Sequence, residues 1–131
     1  MLRTRTIRLG DIVNSSPVFV GAPNFRYQRW GGGGSESGYA SFKSSYNTRT
    51  HMVYVGGNDG MLHGFNARTG DEVMAYVPNA AFKNIHKLTS TNYAHRFYVD
   101  GSPTVGDAYY GGAWHSVLVA GLNKGGQGVY A

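Results

Sequence analysis

The sequence predicts an all-β protein of short antiparallel strands, and three observations lead to that prediction. Glycine occurs 20 times and tyrosine 10 times in 131 residues, while only 15% of residues are charged. Such a composition favours a turn-rich β protein over a helical or disordered one. Residues 52–78 alternate in polarity between strong turn signals, and a second part of the chain repeats that pattern. The class prediction is therefore all-β.

Residues 52–66 predict the first hairpin. Val53 and Val55 alternate with Tyr54, as in a half-buried strand. Three turn residues follow, namely Asn58, Asp59 and Gly60. This combination tolerates positive φ and joins antiparallel strands tightly, so the chain is expected to reverse here into a strand over residues 61–66.

A second turn, over residues 67–70, leads into a predicted third strand at residues 72–77. Thr69 and Gly70 close the turn, and Gly70 suits the left-handed position of a bulged hairpin. Pro78 has no N–H for a ladder and is expected to stop the strand. The first interpretation of both turns is architectural, because turn residues specify register.

Upstream, Ser15 and Ser16 mark a turn into a predicted strand at residues 17–20. Residues 22–39, with a run of four glycines, are interpreted as an exposed, mobile loop within a flexible insertion spanning 22–49. The spacing of Tyr39, Phe42 and Tyr46 predicts a short helix over 39–46.

A second short helix is predicted over residues 79–88. Asn79 is the expected N-cap. Phe82, Ile85 and Leu88 fall on one helical face and are interpreted as packing residues.

The chain contains two copies of one module. Residues 15–21 are similar in sequence to residues 101–107, and residues 52–67 align without gaps on residues 116–131. We place the first copy around residues 12–78 and a second, incomplete copy around 98–131.

The sequence pattern here resembles the repeat of quinoprotein-like β-propellers. It consists of a strand, the turn GGNDG, a second strand and an Asn-x-x-Thr-Gly turn. This resemblance implies a partial β-propeller of about two blades, with one or two short helices in insertions. A closed propeller needs about four or more blades, so the chain is interpreted as a fragment of a single propeller domain. Its open strand edges are expected to invite self-association.

The motifs GDIVNSSP and HRFYVDGSPTVGD, together with the blade repeat, give a more specific resemblance. The chain resembles the C-terminal β-propeller of the PilC/PilY-type type IV pilus biogenesis factors. The resemblance implies an exported protein of the outer membrane, cell surface or pilus tip. The implied function is a non-enzymatic scaffold and interaction module that supports pilus assembly, twitching motility and surface attachment.

The partners that this resemblance implies are pilus assembly proteins or minor pilins, and host or surface ligands. The alternative is a fragment of a quinone-dependent dehydrogenase, because the generic blade repeat is shared with those enzymes. Calcium regulates the propeller in the wider family, through an Asp-rich loop. That loop is absent from this sequence, and Asn58, Asp59 and Gly60 supply a single carboxylate, too few ligands for calcium. No cofactor is expected in this fragment.

No catalytic or metal site is predicted. The five histidines form neither an HxH nor an HExxH spacing, cysteine is absent, and no Gly-x-Ser-x-Gly elbow occurs. Binding residues remain open, and the candidates are His95, Arg96, Asp100 and Asp107. The favoured interpretation of these four is structural, as stabilisers of a tight turn between blades. A polar contact with a partner is the alternative.

The net charge of +5 raises the question of an acidic partner. The basic residues are scattered and no recognition helix groups them, so no nucleic-acid site is predicted. No segment reaches a membrane-spanning length, and the N-terminus lacks the apolar run of a signal peptide. Any export signal is expected upstream of this chain.

Overall fold

The structure, a computed structural model, describes residues 2–27 and 35–131 and contains two antiparallel sheets. The first sheet has the strand order β1-β2-β3-β4, and the second has the order β5-β6-β7. The strands are β1 Val18–Val20, β2 Met52–Gly56, β3 Leu62–Asn66, β4 Glu72–Tyr76, β5 Thr104–Tyr110, β6 Ala113–Gly121 and β7 Val129–Tyr130. The all-β prediction is confirmed.

The first sheet follows the hairpins that its turn residues predict. Val53 pairs with Phe65, and Gly60 and Gly70 adopt φ values of 92° and 79°. These left-handed conformations are the ones that glycine adopts without steric cost. The register between β3 and β4 shifts at Gly64, which places a bulge in this hairpin.

The second sheet repeats this topology but not the register that a gap-free alignment predicts. That alignment places Tyr130 opposite Ser116, whereas the structure pairs it with Ala120. The gap-free register is therefore wrong for β7. The cause is the longer connection after β6, where Asn123–Gly125 forms a 3₁₀ turn with Asn123 at φ 51°.

Helix α1 spans Ser35–Ser45 and begins before the predicted helix over 39–46. The prediction of an exposed loop through residue 39 is wrong at its C-terminal end, because Tyr39 is 0% exposed. Its ring centroid lies 4.6 Å from that of Trp114 in β6. A packing partner so distant in sequence leaves no local signal. The four glycines at 31–34 lie outside the described residues.

The predicted helix over 79–88 is broken into three short turns. A 3₁₀ turn at Asn79–Ala81 precedes α2, Phe82–Ile85, and a second 3₁₀ turn at His86–Thr89 follows it. Asn79 is not the N-cap, because Pro78 holds that position and no side chain caps the turn. The predicted packing role of Phe82 is also wrong, since this side chain is 58% exposed.

These turns are held by contacts from outside the segment. The Tyr98 hydroxyl donates a hydrogen bond to the carbonyl oxygen of Asn84, 3.2 Å away. The Ile85 side chain lies against Gly60, at the tip of the first hairpin. The segment therefore takes its shape from tertiary contacts, which override its helical spacing.

The core lies between the two sheets. Leu62 of β3, Val99 and Leu122 form its fully buried centre, and Tyr54, Leu118 and Tyr130 pack around them. A cleft of about 430 Å³ remains between the two sheet faces. No helix in the described ranges is long and apolar enough to cross a membrane.

Close backbone approach at Gly56 gives a test of this packing. A Cβ at residue 56 would overlap the Val99 carbonyl oxygen, so we expect Gly56→Ala to lower the free energy of unfolding by about 2 kcal/mol or more. Chemical denaturation measures the change. Gly106→Ala is the control, because a Cβ there meets nothing within 4 Å and the expected change is below about 0.5 kcal/mol. Equal effects of the two substitutions would contradict the close packing at Gly56.

Candidate functional site

Three of the four candidate binding residues bond parts of the chain that precede β2. Asp100 and Asp107 bond Asn14 and Tyr39 of the first module, and His95 bonds Asp11, just before that module. The backbone N–H of Arg96 donates to the Tyr93 hydroxyl at 3.2 Å. In the part of the chain that the structure describes, no ion pair links Arg96 to either aspartate. The hydrogen bonds do not join the four residues in one cluster. The bonds of Asp100 and Asp107 lie along the junction of the two modules, which is here called the seam.

Asp100 is the most buried polar residue of this seam, with 1% exposure. Its carboxylate accepts two hydrogen bonds from Asn14, one from the backbone N–H at 3.2 Å and one from Nδ2 at 2.8 Å. A buried carboxylate is costly unless it is paired in this way. The pair therefore fixes the turn before β1 against the turn before β5.

The two Ser-Pro turns of the repeat interlock next to this pair. The Ser15 hydroxyl donates to the Gly101 carbonyl at 3.1 Å and accepts from the Gly56 N–H at 2.8 Å. The Ser16 N–H donates to the Ser102 hydroxyl at 2.9 Å. The serines thus act as hydrogen-bond bridges between backbones of the two modules.

The insertion after β1 adds further hydrogen bonds to the seam. The Tyr39 hydroxyl of α1 donates to Asp107 Oδ2 at 2.6 Å, and burial is the main cause that raises the pKa of Tyr39, followed by this hydrogen bond. Asp107 Oδ1 accepts from the Ser116 hydroxyl at 2.7 Å. Arg49 donates to that hydroxyl and to the Gly21 carbonyl, both at 2.7 Å. The insertion is therefore anchored on the neighbouring hairpin from within α1 and from the segment that follows it.

The turn residues Asn58 and Asp59 hold the N-terminal segment. The Asn58 amide donates to Asp11 Oδ2 at 2.9 Å, and its Oδ1 accepts from the Tyr98 N–H at 3.1 Å. Asp59 Oδ2 accepts from the Gly10 N–H at 2.6 Å. This turn therefore joins three segments of the chain.

A histidine between two carboxylates lies under the same turn. His63 is 2% exposed, with Nε2 at 3.0 Å from Asp59 Oδ1 and Nδ1 at 2.5 Å from Glu72 Oε1. The hydrogen bond to Asp59 raises the pKa of His63 against the opposing effect of burial, and Glu72 adds to the rise. Burial works to raise the pKa of Asp59, but the bonds from His63 and Gly10 outweigh it and the pKa is lowered. The raised pKa of His63 and the lowered pKa of Asp59 both favour an ion pair.

The carboxylates of this arrangement bond to groups of the protein itself. The seam carboxylates Asp100 and Asp107 accept hydrogen bonds from Asn14, Tyr39 and Ser116. Among the described residues, no three His, Asp or Glu side chains are placed to hold a metal ion. Calcium requires several oxygen ligands in one place, so these residues do not fit a calcium site.

Sequence reasoning missed the first-module partners of the seam, and their signals differ. Asn14 could have been found, because it precedes the Ser-Pro turn at the position where Asp100 precedes the repeat of that turn. The roles of Tyr39 and Arg49 had no such signal. Their partners lie 68 and 67 residues away in the chain, in a hairpin that only the fold brings near.

Comparison with known proteins gives consistent similarities. A family model described as the PilY1 beta-propeller domain matches residues 9–131. A type IV pilus biogenesis factor PilY1 of Pseudomonas aeruginosa strain PAO1 is 48% identical over 132 residues, which cover 98% of this chain and 11% of that protein. A PilY1 homolog of Xylella fastidiosa is 47% identical over 131 residues, covering 99% of this chain and 11% of its own length.

A solved structure supports the same fold. The crystal structure of the Pseudomonas aeruginosa PilY1 C-terminal domain superposes with a TM-score of 0.60 at 40% identity, covering 85% of this chain and 21% of that one. The partial β-propeller prediction and the resemblance to pilus biogenesis factors are confirmed. The similarities favour the pilus interpretation over the dehydrogenase alternative.

The buried ion pair predicts how stability depends on pH. The pKa of His63 is raised by folding, so its stabilisation is complete below about pH 6.5 and is lost as pH rises through the raised value. The pKa of Asp59 is lowered, so its contribution is present above about pH 4 and is lost on acidification. We expect the free energy of unfolding to fall above neutrality, by at most about 1.4 kcal/mol per pH unit.

Denaturant unfolding between pH 5 and 9 measures this dependence. His63→Gln is expected to remove the fall in the free energy of unfolding above neutrality. The control, His86→Gln, replaces an exposed histidine and should retain it. An unchanged alkaline fall in His63→Gln would show that another group titrates.

Proposed function

Because this chain belongs to the PilY1 β-propeller family, we propose that it serves as a rigid scaffold and interaction module in a longer type IV pilus biogenesis protein. The observation that carries this proposal is the family match over residues 9–131, together with 48% identity to a relative named for pilus biogenesis. The chain spans about a tenth of the curated relatives, 11%, so the role of the whole protein is part of the proposal.

The mechanism is display of a recognition surface on a stiff support. The seam locks the two sheets, and loops on a rigid scaffold carry recognition in many proteins. The insertion at residues 22–49 is the surface that we assign to partners. Its helix buries Tyr39 while Ala40, Ser41 and Ser44 remain exposed. The partners we propose are pilus assembly proteins or minor pilins.

The proposed setting is the cell envelope. An exported protein at the outer membrane, cell surface or pilus tip would meet host or surface ligands, and would support attachment and twitching motility. The proposed role is non-enzymatic. Any calcium that the longer protein needs is assigned to residues outside this chain, because its buried aspartates are already bonded to protein groups. Strand β4 is exposed throughout and is the edge we assign to self-association.

Complementation tests this proposal in a piliated bacterium that lacks its own copy of the longer protein. Ser41→Arg with Ser44→Arg adds bulk and charge to the exposed face of α1 and leaves the Tyr39 contact intact. We expect sheared surface pili to fall severalfold at an unchanged level of exported protein. Asn92→Arg, an exposed change in another loop, is the matched control and should restore normal piliation.

Two outcomes separate the parts of the proposal. Normal piliation in the α1 variant would reject the insertion as the recognition surface. Normal piliation in the strain without the longer protein would reject the pilus role itself.

A further inference from the structure

The N-terminal residues 3–11 form a bent segment, here called the strap, that lines a cleft of about 510 Å³. The opposite wall comes from Leu88, Tyr93 and His95. The strap is attached to this wall, because the Arg3 N–H donates to the Thr89 carbonyl at 3.0 Å. The cleft is therefore built from two segments that lie far apart in sequence.

The arginines of this strap lack carboxylate partners among the described residues. Arg3 and Arg5 line the cleft, and Arg8 is exposed beside it. Within residues 2–27 and 35–131, each ion pair involves a histidine, and no arginine or lysine pairs with a carboxylate. The one acid in the lining is Asp11, which is already bonded to His95 at 2.7 Å and to Asn58 at 2.9 Å.

Two arginines are held in place before any ligand arrives. The Arg3 guanidinium carbon lies 4.1 Å from the centroid of the Tyr93 ring, in a cation–π contact. Arg5 Nη2 donates to the carbonyls of Arg8 and Leu9, at 3.2 and 3.4 Å. The Arg3 contact uses the face of its guanidinium, and the Arg5 bonds use one nitrogen of its donor fork. A pre-positioned guanidinium loses less entropy on binding a carboxylate than a free one.

We propose that this cleft binds an acidic segment of a protein partner, with carboxylates on Arg3 and Arg5 and apolar side chains against the strap. Guanidinium groups match carboxylate geometry, which argues for the acidic component. Ile7 and Leu9 of the strap and Leu88 of the opposite wall supply apolar surface in the same cleft. A peptide with alternating acidic and apolar residues satisfies both features. The inference rests on these contacts and charges and is independent of the pilus role.

A peptide fits this surface better than the other polyanions. Arg3 and Arg5 are the arginines in the lining of the cleft, which contains no lysine, so its basic surface is small. A membrane surface or a duplex would need a broad basic face instead.

Fluorescence anisotropy with the full chain tests the proposal. The probe is a labelled peptide of alternating glutamate and leucine, compared with its glutamine–leucine counterpart. We expect the acidic peptide alone to bind, with an affinity that falls as salt is raised. Arg3→Gln and Arg5→Gln should each weaken binding about threefold and the double variant roughly tenfold. Arg68→Gln removes an equal charge at an exposed turn and should leave binding unchanged.

The remaining outcomes overturn the inference. Equal weakening by Arg68→Gln would show that net charge attracts the peptide without a site. Equal binding of the glutamine peptide would remove the role of the arginines. Binding to phosphatidylglycerol vesicles that depends on Arg3 and Arg5, without peptide binding, would assign the cleft to a membrane. Near-ultraviolet circular dichroism of each variant checks that the fold is retained.

Discussion

Satisfaction of a buried carboxylate at the junction of the two sheets is the constraint on which the rest of the structure depends. Asp100 is shielded from water and accepts two hydrogen bonds from Asn14, a residue of the other module. Separation of the modules would leave this charge without its partner, which costs more than the bond contributes when it is made. The polar seam therefore sets the relative position of the sheets, and the apolar cluster between them supplies buried apolar surface.

This constraint gives the insertion its role. A long insertion between strands is usually a surface loop. Here Tyr39 and Arg49 bond to the hairpin of the next sheet, so the insertion strengthens the junction that it crosses. The exposed side of α1, which we propose as the recognition surface, is thereby held on a fixed support, and this reduces the ordering cost of binding.

The parts of the fold that sequence could predict are those with local causes. Gly60 and Gly70 mark turns because few other residues adopt their conformations, and strand alternation follows from a half-buried sheet. The extent of α1 and the broken helix after Pro78 depend on contacts between distant segments. No local pattern encodes those contacts, so their prediction failed.

The candidate site divides along the same line. His95, Asp100 and Asp107 were candidates because they lie near one another in the motif YAHRFYVDGSPTVGD. Their partners are Asp11, Asn14 and Tyr39, far away in sequence, and no ion pair forms within the motif among the described residues. Residue type therefore indicates that such groups need partners, while only the tertiary fold determines which ones.

A double-mutant cycle between Asn14 and Asp100 tests the central claim most directly. The free energies of unfolding of Asn14→Ala, Asp100→Ala and the double variant give the coupling between the two side chains. The account predicts a coupling of about 1 to 3 kcal/mol, as expected for a buried hydrogen bond to a charged group. Additive effects within about 0.5 kcal/mol would contradict it and would show that the sheets are held together without this seam.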